Sequence, residues 1–479
     1  MKKRPVLMFL SRPRLDSFYM RLAKLLRNEF SILVLLHEDS TSDFFKIDGI
    51  EVERMPTSSQ LDDVISADSD EYIQQGALAE EFLNKNCYSL NINYILYEKY
   101  VLRYSRTSGH RSRNANIEKI FPFLTSFLKE VVEKYQVDYC FYEFIDTIES
   151  FILNAMIDTG MIKQAFCQIL ISVGGDLRVR LASGLTSKSP KFDYVHARGH
   201  LSSEAYAWSD KILANMSKEA KLSEYDKINR DKVSLFKKYS YSQIFKKMRD
   251  VLHGESLRPF MIRQINRFRA RQYFSDSIEG DKNISFFLQL VPEAGLMAEQ
   301  PEYANQEFVI ELMALYGKCG YKILVKEHPA CFGNHTKRFY KELSLLSNVV
   351  LLPPTYPTRD ILLRSKAVVV ATGTTVSLEA MALGIPIITY GDPYISCSKN
   401  VCKIERPQNV WDVLPDLEFN KEEQRHFFAA LYDASYDYPS FLSDEEYEKG
   451  VEAAPVLVDA LRKEIALYED MVLPCSIDR

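Results

Sequence analysis

The sequence predicts an α/β protein of two like halves, each alternating strand and helix. Three observations carry this reading. The chain opens as strand, helix, strand over Val6–Leu10, Ser17–Arg27 and Phe30–Leu36. A second such series starts at Asn283. The stretch from Ala367 to Asp392, AVVVATGTTVSLEAMALGIPIITYGD, reads as buried strand, small-residue turn, helix and strand.

Taken in order, the first strand is a short apolar run, and the helix after it carries Phe18, Leu22, Leu25 and Leu26 on one side. The loop between them has no GxGxxG, so no dinucleotide fingerprint is present. It carries Arg12 and Arg14, which read equally as anion contacts or as solvated charges. Residues 40–115 are polar and are expected to be an irregular, helical insertion. The arginines 103, 106, 111 and 113 within it read mainly as a solvated surface, with a membrane or anionic-acceptor patch as the alternative. Ile117–Tyr135 is an amphipathic helix and Val137–Tyr142 a strand with Glu143 at its carboxyl end. Thr147–Asp158 is a helix, Gln164–Leu170 a strand, and SVGGDLRVR a loop. Asp193–Ser242 is mostly helical, and the basic run Ile244–Phe274 is a candidate linker.

The second series follows as strands at Ile284–Leu290, Lys322–Lys326 and Val349–Leu352. Helices lie between them at Gln306–Gly317, Thr336–Leu346 and Arg359–Lys366. In the Ala367–Asp392 unit, Val376, Ala380 and Leu383 share a helix face, Gly384 stops the helix and Pro386 blocks its continuation. The tail is helical, strongly amphipathic over Ala453–Tyr468, and is expected to have no strand partner and to pack across the domains. The expected division is a first α/β domain over 1–275, a second over 276–425 and a helical tail over 426–479.

Composition narrows the function. A net charge of -5 with 26% charged residues does not suggest a nucleic-acid binder. The eight cysteines contain no CxxC, which points to idle thiols in a reducing compartment and away from zinc. The opening MKKRPVLMFLSRPR has too short an apolar stretch for a leader, and no run approaches the ~20 apolar residues of a membrane span. A cytoplasmic protein is expected.

Four loops of the second half fall at consecutive strand ends: Pro292–Gly295, Lys326–Pro329, Thr355–Arg359 and Thr372–Ser377. In a parallel sheet such loops share one edge, where phosphates and nucleotides bind at helix N-termini. Thr374, Thr375 and Ser377 can donate to phosphate oxygens, and Lys326 and His328 can neutralise a leaving group. Taken singly each has a plainer reading: the Thr372–Thr375 turn as a helix cap, His328 as a structural histidine, and Glu379 as an exposed helix residue.

The motifs LQLVPEAG, VKEHP and ATGTTVSLEAMALGIPIITYGD resemble those of bacterial capsule and surface-polysaccharide synthesis proteins of the GT-B glycosyltransferase type, a group that includes Kdo transferases. A related pairing of His-Pro with a hydroxyl residue occurs in GT-B sialyltransferases. The resemblance spans about Asn283–Asp392. It implies a GT-B fold: two Rossmann-like domains whose parallel sheets face a central cleft, with C-terminal helices packing across. His328 and Thr374 would hold donor phosphate, supported by Lys326, Thr372, Gly373, Thr375 and Ser377. Glu379 would bind ribose or base, and Glu293 would line the donor pocket as a catalytic candidate beside His328. The chain departs from these patterns at Leu290-Val291, where capsule proteins often carry a histidine, and at Glu293, where sialyltransferases carry an acidic pair.

The expected activity is transfer of a sugar from a nucleotide-sugar, with a CMP-sugar such as CMP-Kdo favoured and a UDP-, GDP- or dTDP-sugar as alternative. The acceptor would be a growing capsule or lipopolysaccharide glycan, with peripheral contact at the inner membrane and no nucleic-acid partner. No metal or other cofactor is expected. For inversion, a base is expected from the first domain, Glu143 before Asp146 or Asp176. A nucleotide-sugar 2-epimerase and a non-catalytic assembly protein are the less favoured alternatives.

Overall fold

The structure, a computed structural model, describes residues 4–11, 15–36, 47–57, 60, 117–143, 148–183, 188–217, 258–289, 296, 303, 305–318, 320–329, 331–439 and 452–472. Strand β1 (Val6–Leu10) is buried at every position, as a strand covered on both faces must be. Its alternation divides the first core in two. Leu7 and Phe9 face α1 (Asp16–Leu26), which buries Phe18, Tyr19, Leu22, Ala23 and Leu26 along one stripe. Met8 and Leu10 lie with α2 (Ile117–Tyr135) and α3 (Ile148–Asp158) on the other face.

Strands β2 (Ser31–Leu36), β3 (Ile50–Arg54), β4 (Tyr139–Tyr142) and β5 (Gln164–Val173) run parallel to β1 in the order β3-β2-β1-β4-β5. This is the Rossmann order, with its switch point between β1 and β4. Two parts of this half differ from expectation. The polar insertion contains β3, an edge strand whose sequence IEVER alternates with period two and pairs with β2 through Ile50 to Arg54. The SVGGDLRVR segment is not a loop: β5 runs on to Val173 and turns into antiparallel β6 (Asp176–Ala182). Gly174 and Gly175 both take positive φ, 58° and 91°, as a two-residue turn matched to strand twist requires.

Helices α4 (Pro190–Arg198) and α5 (Ser203–Ser217) follow, α4 capped by Ser189 and closed by Gly199 at φ 72°. The basic run expected as a linker forms α6 (Arg258–Ala270), which is docked on the second half because Arg263 and Arg267 donate to the Phe332 carbonyl. The second sheet comprises β7 (Asn283–Phe287), β8 (Lys322–Lys326), β9 (Val349–Leu352), β10 (Ala367–Val370), β11 (Ile387–Thr389) and β12 (Val401–Lys403). All are parallel, in the order β9-β8-β7-β10-β11-β12. The connecting helices are α7 (Gln306–Leu315), α8 (Lys337–Ser344), α9 (Thr358–Leu363) and α10 (Thr375–Leu383). Asn305 and Thr336 cap α7 and α8, and Gly384 at φ 77° ends α10.

The chain then crosses back. Helix α11 (Lys421–Asp433) buries Phe427, Phe428 and Leu431 in a core shared by α5 and the second sheet. Contrary to expectation the tail does have a strand partner. Tyr436 and Asp437 form β13, antiparallel to Val179 and Arg178 of β6. The cause is Arg178, whose buried guanidinium donates to Ser435 Oγ at 2.7 Å, to Ser435 O at 3.1 Å, and to Asp437. Helix α12 (Ala453–Val472) ends the described chain against α1, with Leu457, Val458, Leu461 and Ile465 in the core of Leu7 and Phe9.

Leu461 is fully buried, so Leu461→Ala is expected to cost about 2–5 kcal/mol in urea denaturation. Arg462→Ala, which removes only an exposed pair with Glu29, should barely move the midpoint.

Candidate active site

Rossmann-type sheets bind ligands where strand order reverses, at the carboxyl ends. In the second sheet that point lies between β7 and β10, and one side chain joins the two ends. Gln289 Nε2 donates to Thr372 Oγ1 at 2.6 Å. Gln289 is itself fixed from both sides, its N–H donating to Gln306 Oε1 at 2.6 Å and its carbonyl accepting from Gln306 Nε2 at 3.2 Å. Gln289 lies within the motif LQLVPEAG, which implies no role for it; its signal is an amide placed just past an apolar strand.

Beyond Thr372 the backbone turns into α10. Gly373 is pressed against Tyr394: a Cβ there would lie 2.5 Å from the ring. Thr374 is the N-cap residue, yet its side chain makes no capping bond. The hydroxyl is therefore not consumed by the helix, unlike those of Thr336 and Ser189, which do cap. Thr375 opens the helix and is exposed. Ser377 is fully buried and donates its hydroxyl to Thr374 O at 2.5 Å, so it shapes the turn from inside. Glu379 is half-buried one turn on, four residues after Thr375 and hence on the same helix face.

Strand β8 supplies the second set. Lys326 is 8% exposed, and its ammonium donates to Thr358 Oγ1 at 2.6 Å and lies 6.0 Å from the Phe287 ring centroid. His328 is half-buried, and its carbonyl accepts from Cys331 N at 3.0 Å and Phe332 N at 3.1 Å, which closes the turn around it. Since β7 lies between β8 and β10, His328 and Thr372 stand two strand spacings apart, about 10 Å. Glu293, with the rest of its loop, lies outside the described residues, as do Arg12, Arg14, Asp146 and the four arginines of 103–113.

In the first sheet, Glu143 stands immediately after β4, at the switch point, and is 7% exposed. Its charge, after burial, helps hold the Tyr438 hydroxyl above the usual tyrosine range. Asp176 is removed from the strand ends by the hairpin. It accepts from Trp208 Nε1 at 2.8 Å and Lys211 Nζ at 2.9 Å, a structural ion pair.

The two carboxyl edges meet. Ile171 and Val173, at the end of β5, share a core with Leu378, Ala380 and Met381 of α10. Arg180 of β6 stacks its guanidinium 3.9 Å from the Tyr394 ring centroid. Lys188 reaches Asp392 at 2.5 Å, and Lys403 reaches the other oxygen at 3.2 Å. Burial pushes the Asp392 carboxyl up, but the two lysines outweigh it and hold it below the usual range. Among the described residues no cluster of three or more His, Cys, Asp or Glu side chains is arranged to hold a metal ion, and no helix is long and apolar enough to cross a membrane.

Two Rossmann-ordered sheets facing at their carboxyl edges, with helix α12 returned to the first sheet, make this a GT-B architecture. Residues 187–399 match the family of capsule polysaccharide biosynthesis proteins, a segment that contains all three motifs on which that resemblance rests. No curated protein matches the chain. Among solved structures, it is similar to KpsC from Thermosulfurimonas dismutans, a β-Kdo 2,7-transferase, at 12% identity over 78% of this chain and 97% of that one, with a TM-score of 0.31. It is also similar to Anabaena HepE in complex with UDP-glucose, at 10% identity over 90% and 94% of the two chains, TM-score 0.30. A third is the UDP-GlcNAc 2-epimerase of Neisseria meningitidis, at 12% identity over 96% and 100%, TM-score 0.25. Likeness at this level does not choose among activities.

One acid beside the site titrates unusually. Burial pushes the Glu327 carboxyl up to about 7, against the Tyr340 hydroxyl donating at 2.5 Å and the His328 N–H donating at 2.7 Å. His335, 4.0 Å away, is pushed down to about 4 by burial. The raised carboxyl stabilises the fold fully below its unfolded-state value of 4.5, and that contribution is lost as pH rises through about 7. His335 runs the other way, contributing above 6.5 and losing its contribution as pH falls through about 4. Glu327→Gln leaves only the histidine. Urea midpoints across this range should show the variant gaining about 3 kcal/mol on the wild type between acid and neutral pH.

Proposed function

We propose that the chain is a glycosyltransferase of capsule polysaccharide biosynthesis that moves a sugar from a nucleotide donor to a growing surface glycan or glycolipid. The observation that carries this is the second sheet's switch point. A helix N-terminus and a Thr374 hydroxyl unused for capping stand across β7 from His328. The first N–H groups of α10 have no intrahelical acceptor, and the helix dipole favours negative charge there. That end and His328 are suited to the two sides of a donor phosphate. Lys326, held by Thr358, adds fixed positive charge behind them. Together they would stabilise the nucleotide leaving group as the glycosidic bond breaks, without a bound cation.

Glu379, on the face below Thr375, would take the ribose or base. Glu143, buried at the opposing switch point, is the first-domain group suited to accept a proton from the acceptor hydroxyl. A CMP-sugar such as CMP-Kdo is the favoured donor, supported by the pairing of His328-Pro329 with the threonine turn; a UDP-, GDP- or dTDP-sugar is the alternative. The chain would work at the cytoplasmic face of the inner membrane.

Thermal melting with CMP, UDP, GDP and dTDP tests this. A bound nucleotide at about 100 times its dissociation constant should add ~2.7 kcal/mol of stability. His328→Ala should melt as the wild type does but lose that shift. Absence of any nucleotide shift in the wild type would overturn the reading, and a variant that unfolds would return His328 to a structural role.

A further inference from the structure

Helix α6 is fastened by one face and turns another to solvent. On the fastened face, Arg263 and Arg267 donate Nε to Phe332 O at 3.2 and 2.8 Å, and Asn266 Nδ2 donates to Gly333 O at 3.2 Å. The approach is close: Gly333 has φ 89°, and a Cβ there would lie 2.5 Å from the Arg263 carbonyl. On the other face Ile262, Ile265 and Phe268 recur every three residues and are 46%, 45% and 75% exposed. Side chains at that spacing neighbour one another on a helix surface. Three large apolar groups in line, on a helix already anchored, form a patch rather than scattered exposure.

The charges around the stripe decide what it fits. Arg269 and Arg271 are exposed directly after Phe268. Helix α8 packs beside α6 and exposes Lys337 and Lys341. An apolar stripe with Arg269 set in its arc, and further cations on the same and the neighbouring helix, suits a helix lying at the surface of an anionic bilayer, apolar side chains inward and cations at the headgroups. We propose that this face of α6 docks the protein on an anionic lipid surface. The Phe332–Gly333 backbone that α6 grips closes the turn that follows His328. Docking would therefore hold that turn near the headgroups, where a lipid-linked acceptor lies. The surface stands apart from the nucleotide reading, because neither the stripe nor its cations belong to the donor site.

The experiment is co-sedimentation of the full chain, without nucleotide, with phosphatidylcholine vesicles and with mixed phosphatidylglycerol–phosphatidylcholine vesicles. The wild type should bind the anionic vesicles about tenfold more tightly than the neutral ones and weaken with salt. The triple variant Ile262→Ser/Ile265→Ser/Phe268→Ser should lose binding while keeping its melting temperature. Arg269→Glu/Arg271→Glu should lose the preference for anionic lipid. No binding by the wild type, or undiminished binding by both variants, overturns the proposal. So does a wild-type dimer that the triple variant converts to monomer without either binding vesicles, which would make this face a contact between copies. Failure here leaves nucleotide shifts unaffected, so the two readings fall separately.

Discussion

The ring of Tyr394 is the contact on which the arrangement of the two halves turns. It is 4% exposed, lies under Gly373 so closely that no side chain fits there, and carries the Arg180 guanidinium from the first sheet on its face. Phe192 of α4 meets it edge-on, with ring centroids 5.8 Å apart. A turn that must present backbone N–H groups to an anion is thus braced from beneath by the opposite domain. Cation–π stacking of a desolvated arginine contributes of order 2 kcal/mol, and it acts directly below the helix N-terminus. Position in the fold, rather than any one strong bond, makes this contact govern the site.

The interface beside it handles charge the same way. Lys191 of α4 lies 3.6 Å from Glu464 of α12, both largely buried. Burial pushes Glu464 up to about 7 and draws Lys191 down from the usual lysine range. Tyr436 of β13 sits between them in the same network, receiving Lys191 at 2.7 Å and donating to Glu464 at 3.3 Å. Such a buried pair is weak support for stability but strongly resists the loss of one partner. It fixes where the returning tail must land.

Most of this was legible from residue pattern alone where the pattern was unambiguous. Lys322–Lys326 and Val349–Leu352 begin and end as their apolar runs do, and Ile117–Tyr135 coincides with its amphipathic stretch. The hairpin was missed because Gly174-Gly175 sits in a segment otherwise read as a polar loop, although adjacent glycines free to take positive φ were its signal. β3 and β13 are short edge strands whose pairing depends on distant partners, which local composition does not carry. Within the candidate site, the threonine turn and His328 were legible as motif and strand-end position, whereas Gln289 and Tyr394 act through contacts that appear only once β7, β10 and β11 lie side by side.

The return of the tail also sets an order of assembly. During synthesis, domains ordinarily fold as they emerge, the N-terminal one first. Here the helix that joins α1 over Leu7 and Phe9, and the strand capping β6, come from residues 436–472, after the whole of the second sheet. The first sheet therefore remains only partly covered on the α1 face, and open along one edge, until residues 436–472 have been made. The second sheet takes its described strands from residues 283–403 and its covering helix α11 from Lys421–Asp433, all made before β13 and α12. The later half of the chain can close first, and the earlier half finishes on it.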